Sequence, residues 1–489
     1  MNTDILVLGA GGAGLTSALS AKKEGKRVLV VSESYPTRSQ TSMAQGGINA
    51  VLDTSAGDSV QKHIEDTIKA SHNLACHDMV EMMCEDAPKV ISWLDSIGVP
   101  FSRTEDAKIA QRRLGGTEYP RACYSQDYSG LKIIQTLYDN CLKEGVEFLN
   151  RHYVLELIVE DGVSKGAIVL DMVTSEVKTI KADATILATG GYAGIFHSHT
   201  TNNYSQNGDG IALAKKAGAD VTNLNFVQFH PTGLKNSSVL ISESARGAGG
   251  KLFNSKGERF VDELLPRDKV SEAIWKEIEK GEDVFLDITH LGEDFIEENL
   301  PQEIKLAIFY EGVDPVDEPM PIKPVAHYSM GGVAVDKNLQ TSIKNLFAVG
   351  ECSDAKVHGA NRLGGNSLLE IVAFGLRAGE NASKVKNSHD EKTYSFDIDA
   401  IFEKEPKINF YKKQKELGQM LYTKAGVVKT KQNLEDLLKF ITKLEDSLPE
   451  MGLFDKGKTL NTNLVDFLKF KNTIFIAKEY VKSSLKELS

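Results

Sequence analysis

The chain has 489 residues, enough for two or three domains with substantial cores, and its formal net charge of −11 argues against nucleic acid as a partner. Five cysteines, none in CxxC spacing, argue against an iron–sulfur or zinc site on this chain and fit reduced thiols in a cytoplasmic protein, so no metal is expected. No apolar run approaches the length of a membrane span, and no signal peptide is expected ahead of a first strand that starts this close to Met1.

Asp4 to Leu8 reads as a buried strand, followed by Gly9-Ala10-Gly11-Gly12-Ala13-Gly14, a GxGxxG pattern. Leu15, Ala18 and Leu19 continue at helical spacing, and Arg27 to Ser32 supplies a second strand. Such glycines permit a tight turn and let the backbone approach a pyrophosphate lying on the helix N-terminus. Glu33, nineteen residues after Gly14, stands where a ribose-binding acid is expected. Between strand and helix, with that acid in place, the motif predicts a dinucleotide site.

Tyr35 to Ile48, which includes Ser39, Gln40, Thr41, Gly46 and Gly47, is too polar and glycine-rich for a helix and reads as a loop packed along the cofactor. A β-meander is expected over about 153–188, with Asp161-Gly162 as its hairpin turn. Ala184 to Gly191 is another buried strand, ending in a glycine turn at Thr189-Gly190. From about 226 to 327 the pattern changes to mixed α+β, then the cofactor-binding pattern resumes to about 385, as an inserted domain would give. Leu346 to Val349 reads as a strand running into Gly350-Glu351, and residues 358–368 join Arg362 to a helix start at Asn366-Ser367-Leu368. Strand, polar loop and helix start is how an α/β protein builds a ligand site at strand ends. Past a polar stretch from Lys384 to Tyr394, Leu417, Met420 and Leu421, then Leu434, Leu437, Leu438, Ile441 and Leu444, recur at the spacing of packing helices.

Specific motifs carry a resemblance over residues 4 to about 482: PTRSxT with AQGG, FSRTED followed by RRLGG, ATGG, QFHPTG, PRDKVS, HYSMGG, and GEC followed by HGANRLGGNSL. They resemble the succinate dehydrogenase/fumarate reductase flavoprotein family, which also includes L-aspartate oxidase. The resemblance implies FAD as cofactor and an α/β architecture. A Rossmann-like FAD-binding domain in two segments (1–225 and 328–385) would hold an inserted α+β capping domain (226–327), with a C-terminal helical domain at 400–489.

His230 and His327 mark the two crossings between those domains, where small-molecule sites prefer to form. The resemblance makes them ligands of a C4-dicarboxylate substrate, together with Ser242, the Gly47 backbone and Arg362, whose planar fork suits a carboxylate. It makes Arg267 the general acid, with Glu243 and Arg246 returning its proton. The implied reaction passes a hydride from reduced flavin N5 to one alkene carbon while Arg267 protonates the other. Gly9, Gly11, Gly12, Gly14, Glu33, Ser39, Gln40, Thr41, Gly46, Gly47, Thr189, Gly190, Glu351, Asn366, Ser367 and Leu368 match the family's cofactor contacts.

Gln40 stands where the family's membrane-complex enzymes carry the histidine that bonds covalently to FAD, so non-covalent FAD is expected. A covalent link generally raises flavin potential, and its absence favours fumarate reduction over succinate oxidation. An iron–sulfur electron-transfer subunit is a candidate partner, which would hold a cytoplasmic protein peripherally at the inner membrane face. L-aspartate oxidase is the alternative within the family. The segments 101–106 and 112–116 resemble the succinate/fumarate enzymes more. A flavin-binding subunit without its own turnover is the alternative from another class; an acid, a relay and a clamp in one chain argue against it.

Overall fold

The computed structural model describes residues 1–386 and 392–488. β1 (Asn2–Leu8) runs into α1 (Gly12–Lys23) and β2 (Val28–Ser32), as the glycine pattern predicts. β1 is almost wholly buried, as befits a strand covered on both faces. A Cβ at Gly14 would sit 2.0 Å from the carbonyl oxygen of Gly9, so only glycine lets α1 pack this closely on the turn.

β3 (Glu147–Asn150) extends the sheet parallel to β2. The meander follows as β4 (His152–Glu160), β5 (Val163–Asp171) and β6 (Val177–Leu187), and β6 returns parallel to β1. Asp161 and Gly162, between β4 and β5, both take positive φ (48° and 74°), the geometry of a tight hairpin turn. The segment predicted as a loop after Tyr35 holds two single turns of 3-10 helix, Pro36–Arg38 and Gln40–Met43.

After α2 (Asp209–Lys216), a second sheet forms from β7 (Val227–Leu234), β8 (Lys251–Asn254), β9 (Val284–Asp287) and β10 (Met320–Ser329). Its order is β7-β10-β9-β8, all antiparallel. α3 (Glu243–Gly247), α4 (Arg267–Glu279) and α5 (Pro301–Glu311) accompany it around a separate apolar core that includes Ile241, Leu252, Ile274 and Met320. Because β7 opens this sheet and β10 closes it, His230 and His327 lie on neighbouring strands. β11 (Leu346–Ala348) then adds a seventh strand to the first sheet, parallel to β6.

α6 (Asn366–Ser383) packs against α1. α7 (Phe410–Ala425), α8 (Lys431–Asp446) and α9 (Thr462–Glu487) complete a mixed α/β fold. Leu417, Leu421, Leu434, Leu437, Ile441 and Leu444 are buried at the spacing seen in the sequence, while Met420 and Leu438 pack at the margin. Among the described residues no helix is long and apolar enough to cross a membrane.

Candidate active site

One continuous cleft runs from the α1 turn, past Gln40 and Glu351, to His230, His327 and Arg362. At its first end, Gly9, Gly11, Gly12 and Glu33 line it, and Glu33 pairs with Lys469 of α9. Gly14 does not line it; that glycine serves the packing of α1. In the middle, Ser39 Oγ, Gln45 Oε1, Thr189 Oγ1 and Gln206 Oε1 are buried and without partners among the described residues, although their residues line the cleft. Buried polar atoms in native proteins are satisfied, so these oxygens fit a long polar ligand such as FAD. Gly46, Gly47, Thr41, Gly190, Ser367 and Leu368 complete the wall. Glu351 accepts hydrogen bonds from Ser329 N (2.9 Å) and Oγ (3.1 Å), and burial raises its pKa to about 7.

Asn366 opens α6, as the expected helix start requires, and its side chain is held by the protein. Its side chain turns away from the cleft, Oδ1 accepting from Asn49 Nδ2 (2.8 Å) and lying 3.1 Å from His63 Nε2, and Nδ2 donating to Thr67 Oγ1 (2.9 Å). Burial lowers His63 to about 4, so this imidazole is neutral. Asn366 therefore anchors the start of α6, and only its backbone is left for a cofactor. Gln40 likewise does more than mark a missing histidine. Its Oε1 accepts from Asn203 N (3.2 Å), and the same loop carries Thr201, whose Oγ1 lies 2.8 Å from His327 Nδ1.

At the far end of the cleft, His230 and His327 meet with ring centroids 5.1 Å apart. Burial first, then the neighbouring arginines, hold both well below the usual imidazole range, so both are neutral at pH 7. Ser242 is buried as the N-cap of α3. Arg362 is 5 % exposed, yet it forms no ion pair among the described residues. Its guanidinium lies 4.4 Å from the Tyr328 ring centre, Nη1 donates to Leu363 O at 3.2 Å, and Nε has no partner. Burial, then Arg267, lower its pKa to about 10, which leaves it charged at neutral pH. A buried cation without an anion is costly, and an anionic ligand removes that cost.

Arg267 is the first residue of α4. Its Nε and Nη2 both donate to Glu243 Oε2, at 3.0 and 2.5 Å, and Nη1 donates to Gln228 Oε1 at 3.1 Å. Glu243 Oε1 lies 3.6 Å from Arg246 Nη2 across one turn of α3. Burial pushes the Glu243 carboxyl up, but Arg267 and Arg246 outweigh it and the net shift is downward. Glu243 is thus an ionised carboxylate bridging two guanidinium groups. Arg267 and Glu243 line the cleft and Arg246 lies behind them.

The structure brings together every sequence-predicted substrate and relay residue. Sequence reading gave no role to Gln228, whose amide holds Arg267 on one side and Asn361 (2.7 Å) and Arg362 O (2.8 Å) on the other. Three buried polar residues at alternate positions of one strand, Gln228, His230 and Thr232, were the available signal. Tyr328, under Arg362, was also passed over; its hydroxyl is fixed by Glu370 (3.0 Å).

Comparison with known proteins matches residues 4–368 to a family model described as an FAD binding domain, and residues 414–486 to one described as the fumarate reductase flavoprotein C-terminus. The chain is 37 % identical to the 8-methylmenaquinol:fumarate reductase flavoprotein subunit of Wolinella succinogenes, covering 97 % of this chain and 82 % of that one. It is 36 % identical to the succinate dehydrogenase flavoprotein subunit of Rickettsia conorii, over 96 % of this chain and 86 % of that one. Among solved structures, an E. coli quinol fumarate reductase superposes with a TM-score of 0.94 at 33 % identity, covering 99 % of this chain and 89 % of that one. With the cleft, its glycine turn and these matches in hand, the chain belongs to the succinate dehydrogenase/fumarate reductase flavoprotein family, whose members are FAD-dependent oxidoreductases.

Proposed function

We propose that this protein interconverts fumarate and succinate and works mainly as a fumarate reductase. The observation that carries the reading is Arg362, a buried guanidinium without an ion pair among the described residues, facing a cleft with two neutral histidines and Ser242. That set suits a dianion: Arg362 takes one carboxylate through two parallel hydrogen bonds, and His230, His327 and Ser242 hold the remaining oxygens. Residues 226–327 serve as the cap that closes over the substrate. Residues 1–225 and 328–385 hold the cofactor, and residues 400–489 buttress it.

Bound FAD supplies the two-electron chemistry, as a hydride from its reduced form. The chain's own task is to hold the alkene, polarise it and deliver one proton. Arg267 gives that proton to the carbon that does not take the hydride, and Arg246 and Glu243 restore it from solvent. The contacts of Glu243 with both guanidinium groups support this relay. The positive groups around the substrate stabilise charge that grows on the carboxylate in the transition state. An iron–sulfur electron-transfer subunit is the redox partner we assign, with peripheral attachment of a cytoplasmic protein to the inner membrane face. The relatives named as quinol-dependent fumarate reductases support that assignment.

Steady-state assays of the purified protein with fumarate, succinate and L-aspartate test the reading. Fumarate reduction with an artificial reduced donor should run much faster than succinate oxidation. Comparable rates in both directions would overturn the bias, and turnover of L-aspartate with oxygen but none of fumarate would overturn the substrate.

FAD should also be bound without a covalent link, because an amide at Gln40 cannot take the place of a nucleophilic imidazole. Acid precipitation should leave a yellow supernatant and a colourless pellet. Flavin fluorescence retained on the denatured polypeptide would sink this.

A further inference from the structure

Glu303, on α5, is fully buried. Its Oε1 accepts the backbone N–H of Ser242 at 3.3 Å, and Ser242 caps the helix that carries Glu243 and Arg246. Its Oε2 has no partner among the described residues. Among the described residues, the Ser242 amide at the start of α3 bonds it, and the charges of Asp127, from the chain ahead of residue 129, and of Arg112, from the RRLGG motif, act on it. Arg112 spends Nε and Nη2 on the carbonyls of Gly46 (3.0 Å) and Gln45 (2.7 Å), and forms no ion pair with Glu303. Asp127 Oδ2 accepts from Gln302 N at 2.9 Å, one residue before Glu303, and its Oδ1 has no partner among the described residues. A carboxylate at Glu303 would be a buried charge under the influence of a second acid, without a paired cation among the described residues.

We propose that Glu303 is a positioning residue for the dicarboxylate substrate: as a neutral acid it holds the Ser242 backbone, and its ionisation in alkaline solution weakens substrate binding. The assignment rests on the dicarboxylate reading above. Burial, more than Asp127, raises this carboxyl from the ordinary glutamate value to about 8, so the acid is protonated at neutral pH. Ionisation adds negative charge next to a cleft that must hold a dianion, and the same charge is unfavourable in the buried site itself.

The sign follows from linkage. A group raised from 4.5 to about 8 contributes stability that is full below 4.5 and is lost as pH rises through 8. Glutamine keeps the shape and the acceptor for Ser242 N–H but cannot ionise.

The test titrates fumarate into the oxidised holoenzyme from pH 7 to 9 and follows the flavin absorbance. Wild-type Kd should rise about 10-fold across that range, as one group titrating near 8 gives. In Glu303→Ala, which leaves the Ser242 amide without an acceptor, Kd at pH 7 should rise about fivefold. Glu303→Gln should rescue that loss and hold Kd within about twofold from pH 7 to 9, with a Tm above wild type that grows with pH. A wild-type Kd independent of pH, or a Glu303→Gln titration with the wild-type slope, overturns the assignment alone. Wild-type holoenzyme that binds no fumarate at any pH overturns the dicarboxylate reading and this assignment with it.

Discussion

Replacing Arg267 with lysine is expected to lower turnover by about 10²–10⁴-fold while substrate and FAD stay bound, the cost of losing a positioned general acid. All three guanidinium nitrogens are committed: two to Glu243 and one to Gln228. A lysine has one nitrogen on a differently shaped stem, so it cannot bridge Glu243 and Gln228 and meet the alkene carbon at once. Ground-state binding survives because Arg362, His230, His327 and Ser242 are untouched. Measurement of kcat and of fumarate Kd on the same preparation decides the matter. A variant that changes only apparent affinity, with kcat near normal, would make Arg267 a binding residue and leave the proton without a source.

Arg362→Met should act with the opposite pattern. Truncating one partner of a buried charge pair costs about 2–5 kcal/mol, so fumarate binding should weaken by roughly 30- to 4000-fold. In the ligand-free protein the same substitution removes a buried cation with no carboxylate partner among the described residues, and Tm should rise. Binding lost and stability gained from one change is the signature of a group kept for its ligand. A fall in Tm equal to that of an ordinary core truncation would mean that the arginine holds the fold instead.

Much of the fold is legible in the sequence alone. The α1 turn, the meander and the helices bearing Leu417 and Leu434 are local, and their glycines and periodic leucines state them directly. The roles of Arg267, Glu243 and Arg362 came from motif resemblance, since an arginine and a glutamate in one segment read equally well as a salt bridge. Gln228 and Glu303 were not legible. Each acts through a partner distant in sequence, Gln228 on Arg362 and Glu303 on Ser242, and no local pattern encodes such a pairing. The helix start at Asn366 is legible in the sequence, but the partners of its side chain are not. Its side chain answers to His63 and Thr67, which nothing near residue 366 announces. α9 escaped periodicity for another reason: it is buried on several faces and so shows no single apolar stripe.

The pairing of Glu33 with Lys469 spans 436 residues. During synthesis at about 5–20 residues per second, the ribosome needs about 20–90 s to supply the lysine after the acid has emerged. Asn207 and Asp209, near the same end of the cleft, wait as well for Lys469 and Asn472. The first strand and glycine turn, although translated first, cannot finish their own ligand site. The cofactor end of the cleft is therefore complete only once α9 is in place.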